Sequence, residues 1–269
     1  MLQRKSSLIV LILILSVLSF SLALRADHVE EFNKVLPLKA TGVFSLKNVN
    51  GSVILTTWKE EKVEIKAIKS TDRDAENLKK VEIKIDATPD FVSVDTIYPK
   101  WRNVHVKVEY EVKVPEGVNL PEISTVNGTV EISGSFRKVT ASTVNGQVNL
   151  AQTSGDIMLS TTNGDIKAKD IQGKLEAETV NGGIELDSVS VGDGIKAKTV
   201  NGSLTLRLGS IEKLDAFLKA HTTNGGITLD IPLSFQNIRQ SKHSFEGQIG
   251  QGGPEIYLET VNGGIKITK

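Results

Sequence analysis

The sequence predicts an all-β fold wound as a parallel β-helix-like solenoid with a strand-rich N-terminal capping region, and three observations carry the prediction. A short phrase centred on Asn-Gly occurs eight times, at Asn50, Asn127, Asn145, Asn163, Asn181, Asn201, Asn224 and Asn262. The spacing holds at 18 residues from Asn127 to Asn181 and then lengthens to 20, 23 and 38, a period that marks stacked repeats with insertions. Apolar and polar residues alternate strictly on both sides of each Asn-Gly, which is the signature of half-buried strands and excludes helix there.

Counting from each Asn makes the alternation explicit. Three residues after it stand Val53, Val130, Val148, Ile166, Ile184, Leu204, Ile227 and Ile265. Five after it stand Leu55, Ile132, Leu150, Ala168, Leu186, Leu206, Leu229 and Ile267. Four before it stand Leu46, Ile123, Ala141, Leu159, Ala177, Ala197, Ala220 and Leu258, and the intervening positions are mostly Ser, Thr, Glu, Lys or Asn. Each repeat is therefore two strands bent at a turn whose Asn-Gly composition suits positive φ.

Two architectures satisfy this pattern. In an antiparallel hairpin meander Thr199 would oppose Leu204 and Ala197 would oppose Leu206, and about fourteen strands would share one apolar face, which open sheets rarely sustain. In a solenoid Asn-Gly forms a corner and coils stack about 4.8 Å apart. Thr125, Thr143, Thr161, Thr179, Thr199, Thr222 and Thr260 then occupy one register and the Asn residues another, so that identical side chains hydrogen-bond along the stack. The solenoid is the favoured reading.

The elements follow in chain order. Residues 1–23 read as a secretory signal peptide: Arg4 and Lys5 precede an apolar run from Leu8 to Leu24, with small residues at Ser21 and Ala23 for cleavage. An uncleaved anchor is the alternative, since the run is near the shortest that spans a bilayer. Residues 24–120 form a strand-rich first part, with strands expected at 53–55, 63–67, 81–85, 91–94 and 104–114. In the last of these Val104, Val106, Val108, Tyr110, Val112 and Val114 share one side, and Pro115-Glu116-Gly117 ends it. Residues 121–269 form the repeat solenoid. Within it a short helical turn is expected over 211–220 and a long loop or irregular hairpin over 234–253. The first part is expected to cap one end, because a raw solenoid end exposes strand edges.

Composition removes whole classes of function. The 32 basic residues balance 32 acidic ones, which argues against a general nucleic-acid binder. With no Cys, the chain has no disulfide framework, thiolate zinc site, cysteine nucleophile or lipoprotein anchor.

The signal segment, the NVNGSVILTTWKEEKVEIKA stretch, the YEVKVPEGVNL strand, the repeated TVNG phrases and the ending GQIGQGGPEIYLETVNGGIKI together resemble the bacterial putative-adhesin family of β-strand-repeat domains of unknown function. The resemblance runs from about Thr41 to Lys269. It implies a right-handed β-helix-like fold and export to the envelope, and it carries no catalytic residues over; fold does not fix function.

The residues themselves point to no reaction. His28, His105, His221 and His243 lack metal-ligand spacing, and His105 and His221 read as solvated. Asp156, Asp165, Asp170, Asp187 and Asp193 fall near turns without repeating in one register, so calcium binding at Gly192-Asp193-Gly194 is the weaker reading and backbone capping the stronger. No G-x-S-x-G elbow or Walker A loop occurs. Trp58, Tyr98, Trp101 and Tyr257 are candidates for sugar stacking, or else core and cap residues. The expectation is a non-catalytic exported envelope protein, an adhesin-like binding or scaffolding module with no cofactor, metal or catalytic residues. Its partners are envelope polysaccharide or proteins, without nucleic acid, and it meets a membrane only through an uncleaved signal segment. It acts in the periplasm, at the cell surface or outside the cell. The alternatives are a carbohydrate-active enzyme on a β-helix and a periplasmic sensor or accessory module.

Overall fold

The structure is a computed structural model that describes residues 28–100, 104–209 and 214–269. The signal segment and Trp101 lie outside the described residues. Strand pairing settles the architecture as a solenoid: Thr199 pairs in parallel with Thr179 and Thr260, not with Leu204.

A typical coil runs from one Asn-Gly to the next. Strands β10 (Lys138–Asn145), β11 (Val148–Asn163), β12 (Ile166–Asn181) and β13 (Ile184–Asn201) stack in parallel with matching registers, Asn on Asn and Thr on Thr. The last three bend midway at a second corner, where Gln152, Asp170 and Ser188 take φ near +55° and Gly155 and Gly173 also lie at positive φ. This divides the wall into an upstream sheet, preceding each Asn-Gly, and a downstream sheet, following it. The inward rows of both are buried in one core, with Leu159, Ala177, Ile166 and Leu186 at most 1% exposed.

The Asn-Gly corners differ from the sequence expectation in one respect. Of the glycines that follow these asparagines, only Gly51 has a positive φ. The others are glycine because of close approach: a Cβ on Gly146, Gly164, Gly182 or Gly202 would run into the carbonyl oxygen of the equivalent glycine one coil away. Three hydrogen bonds then zip each pair of corners. Asn181 Nδ2 donates to Asn163 Oδ1 (2.9 Å), the Gly164 amide to the Asn181 carbonyl (2.9 Å), and the Thr179 hydroxyl to the Gly164 carbonyl (3.0 Å). The Asn ladder therefore forms as expected, through all eight copies. The Thr residues do not bond to one another; each buried hydroxyl satisfies a glycine carbonyl that the tight corner leaves without a strand partner.

The first part contributes coils and covers. β2 (Val43–Lys47) and β3 (Val53–Trp58) form the coil around Asn50, stacked on β8 (Asn119–Ser124) and β9 (Val130–Ser133). Asn48 replaces the ladder Thr there, and its amide reaches the Val108 carbonyl at 2.8 Å. Outside this coil lie β6 (Phe91–Ile97) and β7 (Lys107–Pro115), both parallel to it. Their outer edges are closed by antiparallel β5 (Glu82–Thr88) and β4 (Lys62–Thr71), and β1 (His28–Pro37) pairs in turn with β4. A 3-10 turn at Ala75–Lys80, capped by Asp74, joins β4 to β5.

At the other end β14 (Leu204–Leu208) completes the Asn201 coil, and β15 (Ala216–Asn224) with β16 (Ile227–Asp230) forms the Asn224 coil. Residues 216–220 are thus strand rather than helix, while 211–213 lie outside the described residues. β17 (Phe235–Gln240) and β18 (Ser244–Ile249) make an antiparallel hairpin whose second strand covers the edge of β15. The chain then returns as β19 (Glu255–Asn262) and β20 (Ile265–Thr268), which do not add to the end of the stack. They slot between the Asn201 and Asn224 coils, so the coil that comes last in sequence lies second to last in space. His243 Nδ1 lies 3.2 Å from the Gly225 carbonyl, the position a further ladder Thr would occupy. Because a carbonyl only accepts, that nitrogen is the donor.

Candidate functional site

The outer face of the upstream sheet changes character along the stack. Near the middle it carries the small hydroxyls Ser124, Thr140, Ser142 and Ser160 with the exposed apolar side chains Met158 and Val144. Toward the C-terminal end it becomes a set of charged rows. Glu176 and Glu178 face Lys196 and Lys198; these face Tyr257 and Glu259; and these face Lys219 and His221, with Glu246 of β18 beyond Lys219.

Register brings opposite charges together. Lys196 is paired with Glu176 and, at 3.0 Å, with Glu178; Lys198 meets Glu259 at 2.7 Å and Lys219 meets Glu255 at 2.5 Å. The Tyr257 hydroxyl donates to Glu259 at 3.1 Å, and Lys198 Nζ stands 5.0 Å from the centre of the Tyr257 ring, a cation–π contact. Hydrogen bonds from Lys196 and Lys198 hold Glu176 and Glu259 respectively below the usual carboxylate range, against the opposing effect of partial burial. Lys196 is correspondingly raised, first by Glu176 and then by Glu178.

These shifts have a consequence for stability. A carboxylate whose folded pKa is depressed contributes stability above its unfolded pKa and loses it as pH falls through the lower folded value. The melting temperature is therefore expected to fall as pH drops below 4.5, the ordinary value for Glu, with a loss of less than about 1 kcal/mol per pair because both are partly exposed. Thermal melts across that range should show a shallower acid limb in the Glu176→Gln/Glu259→Gln variant. Identical limbs would exclude these two groups as its source.

A shallow notch of about 410 Å³ opens within the charged rows. It exists because Gly194, at φ +109°, presents no side chain between Lys174 on one side and Glu255 on the other. Tyr257, Lys196 and Asp193 complete its wall. Lys174 and Asp193 make no ion pair within 4 Å among the described residues, so the notch offers one free cation and one free carboxylate beside an aromatic ring. A second groove, on the downstream face, lies among Glu131, Gln147, Asn149, Lys167 and Asp187; Asn149 Oδ1 is buried there without a donor.

The residues singled out in the sequence are dispersed. His28, His105 and His221 are exposed and His243 is half-buried at the end of the ladder. Asp165 accepts from the Gly183 amide at 2.8 Å and so caps the neighbouring coil, while Asp170 sits in a left-handed corner. No three His, Asp or Glu side chains converge as a metal site among the described residues. Trp58 is tied by its indole N–H to the Lys62 carbonyl at 2.8 Å, with Lys62 and Lys113 over its ring. Tyr98 is half-buried, donating to the Val106 carbonyl at 3.1 Å, and burial pushes its phenol up to about 12. Among the described residues, Tyr257 is the one of these aromatics that lines the notch on the charged face. Sequence order alone hides that notch, because its walls come from coils 61 residues apart that only the intercalated stack makes neighbours.

Fold and surface together define a β-solenoid with continuous exposed sheet faces and open, shallow grooves. The profile of the Toastrack DUF4097 family matches residues 36–268, and the chain belongs to that family, in line with the β-strand-repeat resemblance seen in the sequence. Similar solved structures include one described as a putative cell adhesion protein from Clostridium sporogenes, 16% identical with a TM-score of 0.37, covering 89% of this chain and 99% of that one. Another is a putative adhesin from Parabacteroides merdae, 14% identical with a TM-score of 0.38, covering 89% and 97%. A third, described as a putative lipid binding protein from Parabacteroides distasonis, is 11% identical with a TM-score of 0.42, again covering 89% and 97%. No curated protein matches the chain. No helix among the described residues is long and apolar enough to cross a membrane.

Proposed function

We propose that the protein is a non-catalytic, exported bacterial envelope module that binds glycan on the charged upstream face, in the manner of an adhesin. One observation carries the reading: the notch beside Tyr257 pairs an aromatic ring with a free cation and a free carboxylate on an otherwise self-neutralised sheet. An aromatic face packs against the apolar side of a sugar ring, and flanking charged groups take its hydroxyls or acidic substituents. The openness of the notch suits a segment of a long chain rather than an enclosed small substrate. The basic n-region and apolar run of residues 1–23 support export.

A thermal-shift screen of the purified protein against envelope polysaccharides, peptidoglycan fragments and calcium tests this, since a ligand of the folded state raises the melting temperature. A shift with a saccharide that disappears in Tyr257→Ala is expected, with the saccharide recovered uncleaved. Cleavage would make the protein an enzyme, and a flat panel would redirect the assignment to scaffolding through protein partners.

A further inference from the structure

The repeat does not explain why β19 and β20 lie between the Asn201 and Asn224 coils. Both the Asn224 and Asn262 coils carry the ladder Asn, the ladder Thr and the tight Gly, and both place apolar residues at the same inward positions. Either would stack on the Asn201 coil in the same register. The 23-residue spacing from Asn201 to Asn224 exceeds the basic 18, so the chain has length for either order.

Two rows of the upstream sheet distinguish the orders. On the outside, the observed order places Tyr257 and Glu259 between Lys196/Lys198 and Lys219/His221, with Glu255 reaching Lys219 and Glu246 beyond. The chain-order stack would put Lys196 directly against Lys219, where directly opposed like charges on neighbouring strands repel, and would set His221 beside Lys198 in place of its ion-pair partner Glu259. On the inside, the observed row reads Ala177, Ala197, Leu258, Ala220, Phe245, all buried. The chain-order stack would place three alanines in succession and then Leu258 beside Phe245, leaving a void at one level and crowding the next.

We propose that these two codes, charge alternation outside and the spacing of Leu258 and Phe245 among the alanines inside, select the intercalated position of β19 and β20, and that the Tyr257 notch exists only in the order they select. In the chain-order stack Phe217 and Lys219 would face Gly194 in place of Glu255 and Tyr257. The inference concerns what lines the notch and holds whether or not a glycan fills it.

The absence of Cys allows a direct readout on the downstream face, away from both codes. Thr205 neighbours Lys266, and Lys266 neighbours Thr228. The pair Thr205→Cys/Lys266→Cys should therefore form a disulfide in the observed order. Thr205→Cys/Thr228→Cys, two rungs or about 9.6 Å apart, should not, because disulfides need Cα atoms within about 7 Å. Exchanging the codes with Lys219→Glu, Glu255→Lys, Glu259→Lys, Ala220→Leu and Leu258→Ala is expected to reverse the result, making the 205–228 crosslink the majority product. The charge set alone and the Ala/Leu exchange alone should each give both crosslinks. Retention of the 205–266 crosslink alone in all three variants overturns the proposal. So does loss of β-sheet circular dichroism in the fully exchanged chain, because that chain is expected to fold in the other order.

Discussion

Replacing Gly182 with Ala is expected to destabilise the protein by about 3 kcal/mol or more, while Gly226→Ala is expected to be neutral or to stabilise it by about 0.5 kcal/mol. Both glycines belong to repeat phrases, neither lies at positive φ, and both substitutions add a single methyl group. They differ in what that methyl meets. On Gly182 it would overlap the Gly164 carbonyl oxygen, whereas on Gly226 nothing lies within 4 Å. The coils cannot separate to make room at Gly182 without stretching three bonds at once. Those are the Gly164 amide to the Asn181 carbonyl, the Asn181 side chain to Asn163, and the Thr179 hydroxyl to the Gly164 carbonyl. Gly226 lies in the outermost coil, where its substitution only reduces the freedom of the unfolded chain. Urea unfolding of the two variants measures the contrast; equal free energies would mean that glycine is needed at these corners for its backbone freedom and not for its missing side chain.

That contrast also shows what the sequence could convey. Period-two alternation identifies the inward residues that flank each Asn-Gly, because one face of each strand is buried and the other is not, but it misses Thr153, Ile171 and Val189, which the second corner turns inward. The Asn ladder was legible because an amide is both donor and acceptor and so pairs with its own kind. A hydroxyl takes whichever acceptor lies nearest, and the glycine carbonyl left bare by the tight corner is invisible until the corner is built. β1 was not legible because its position as an outermost strand leaves Val29 and Val35 exposed and only Phe32 and Leu36 half-buried, which removes the alternation. Over 211–220, Leu214, Phe217 and Leu218 have helical spacing, but pairing of β15 with β19 and β18 selects the alternate set Ala216, Leu218, Ala220 and Thr222. Pairing on both sides outweighs a local preference of this kind. The order of the coils, and with it the notch, was hidden because every copy places apolar residues at the same inward positions, and the size and charge differences between copies act only once neighbouring coils are in register.

The eight Asn-Gly sequences are expected to deamidate at very different rates in the folded protein, with Asn224 first and the interior copies slower by about tenfold or more. Deamidation begins when the backbone nitrogen of the following residue attacks the Asn side-chain carbon, which is easiest before glycine because no side chain obstructs the approach. The attack requires that nitrogen to be free and the Asn side chain to rotate. In seven copies the glycine N–H is engaged by the Asn carbonyl of the neighbouring coil at 2.8–3.1 Å, and in the six interior copies the Asn side chain is bonded on both sides. Reaction there requires local opening of the stack, which costs the ladder bonds of two coils. At the end of the stack Gly225 N–H has no such acceptor among the described residues, and Asn224 is bonded only through its Nδ2, to Asn262 at 2.8 Å. Peptide mapping after incubation at mildly alkaline pH should find the mass increase at Asn224 well before Asn145, Asn163 or Asn181, and denaturant should bring all eight to similar rates. Uniform rates in the folded state would mean that the corners open freely. The solenoid would then lack the rigidity that eight copies of so labile a dipeptide require, and a surface built on those corners could not hold a fixed binding geometry.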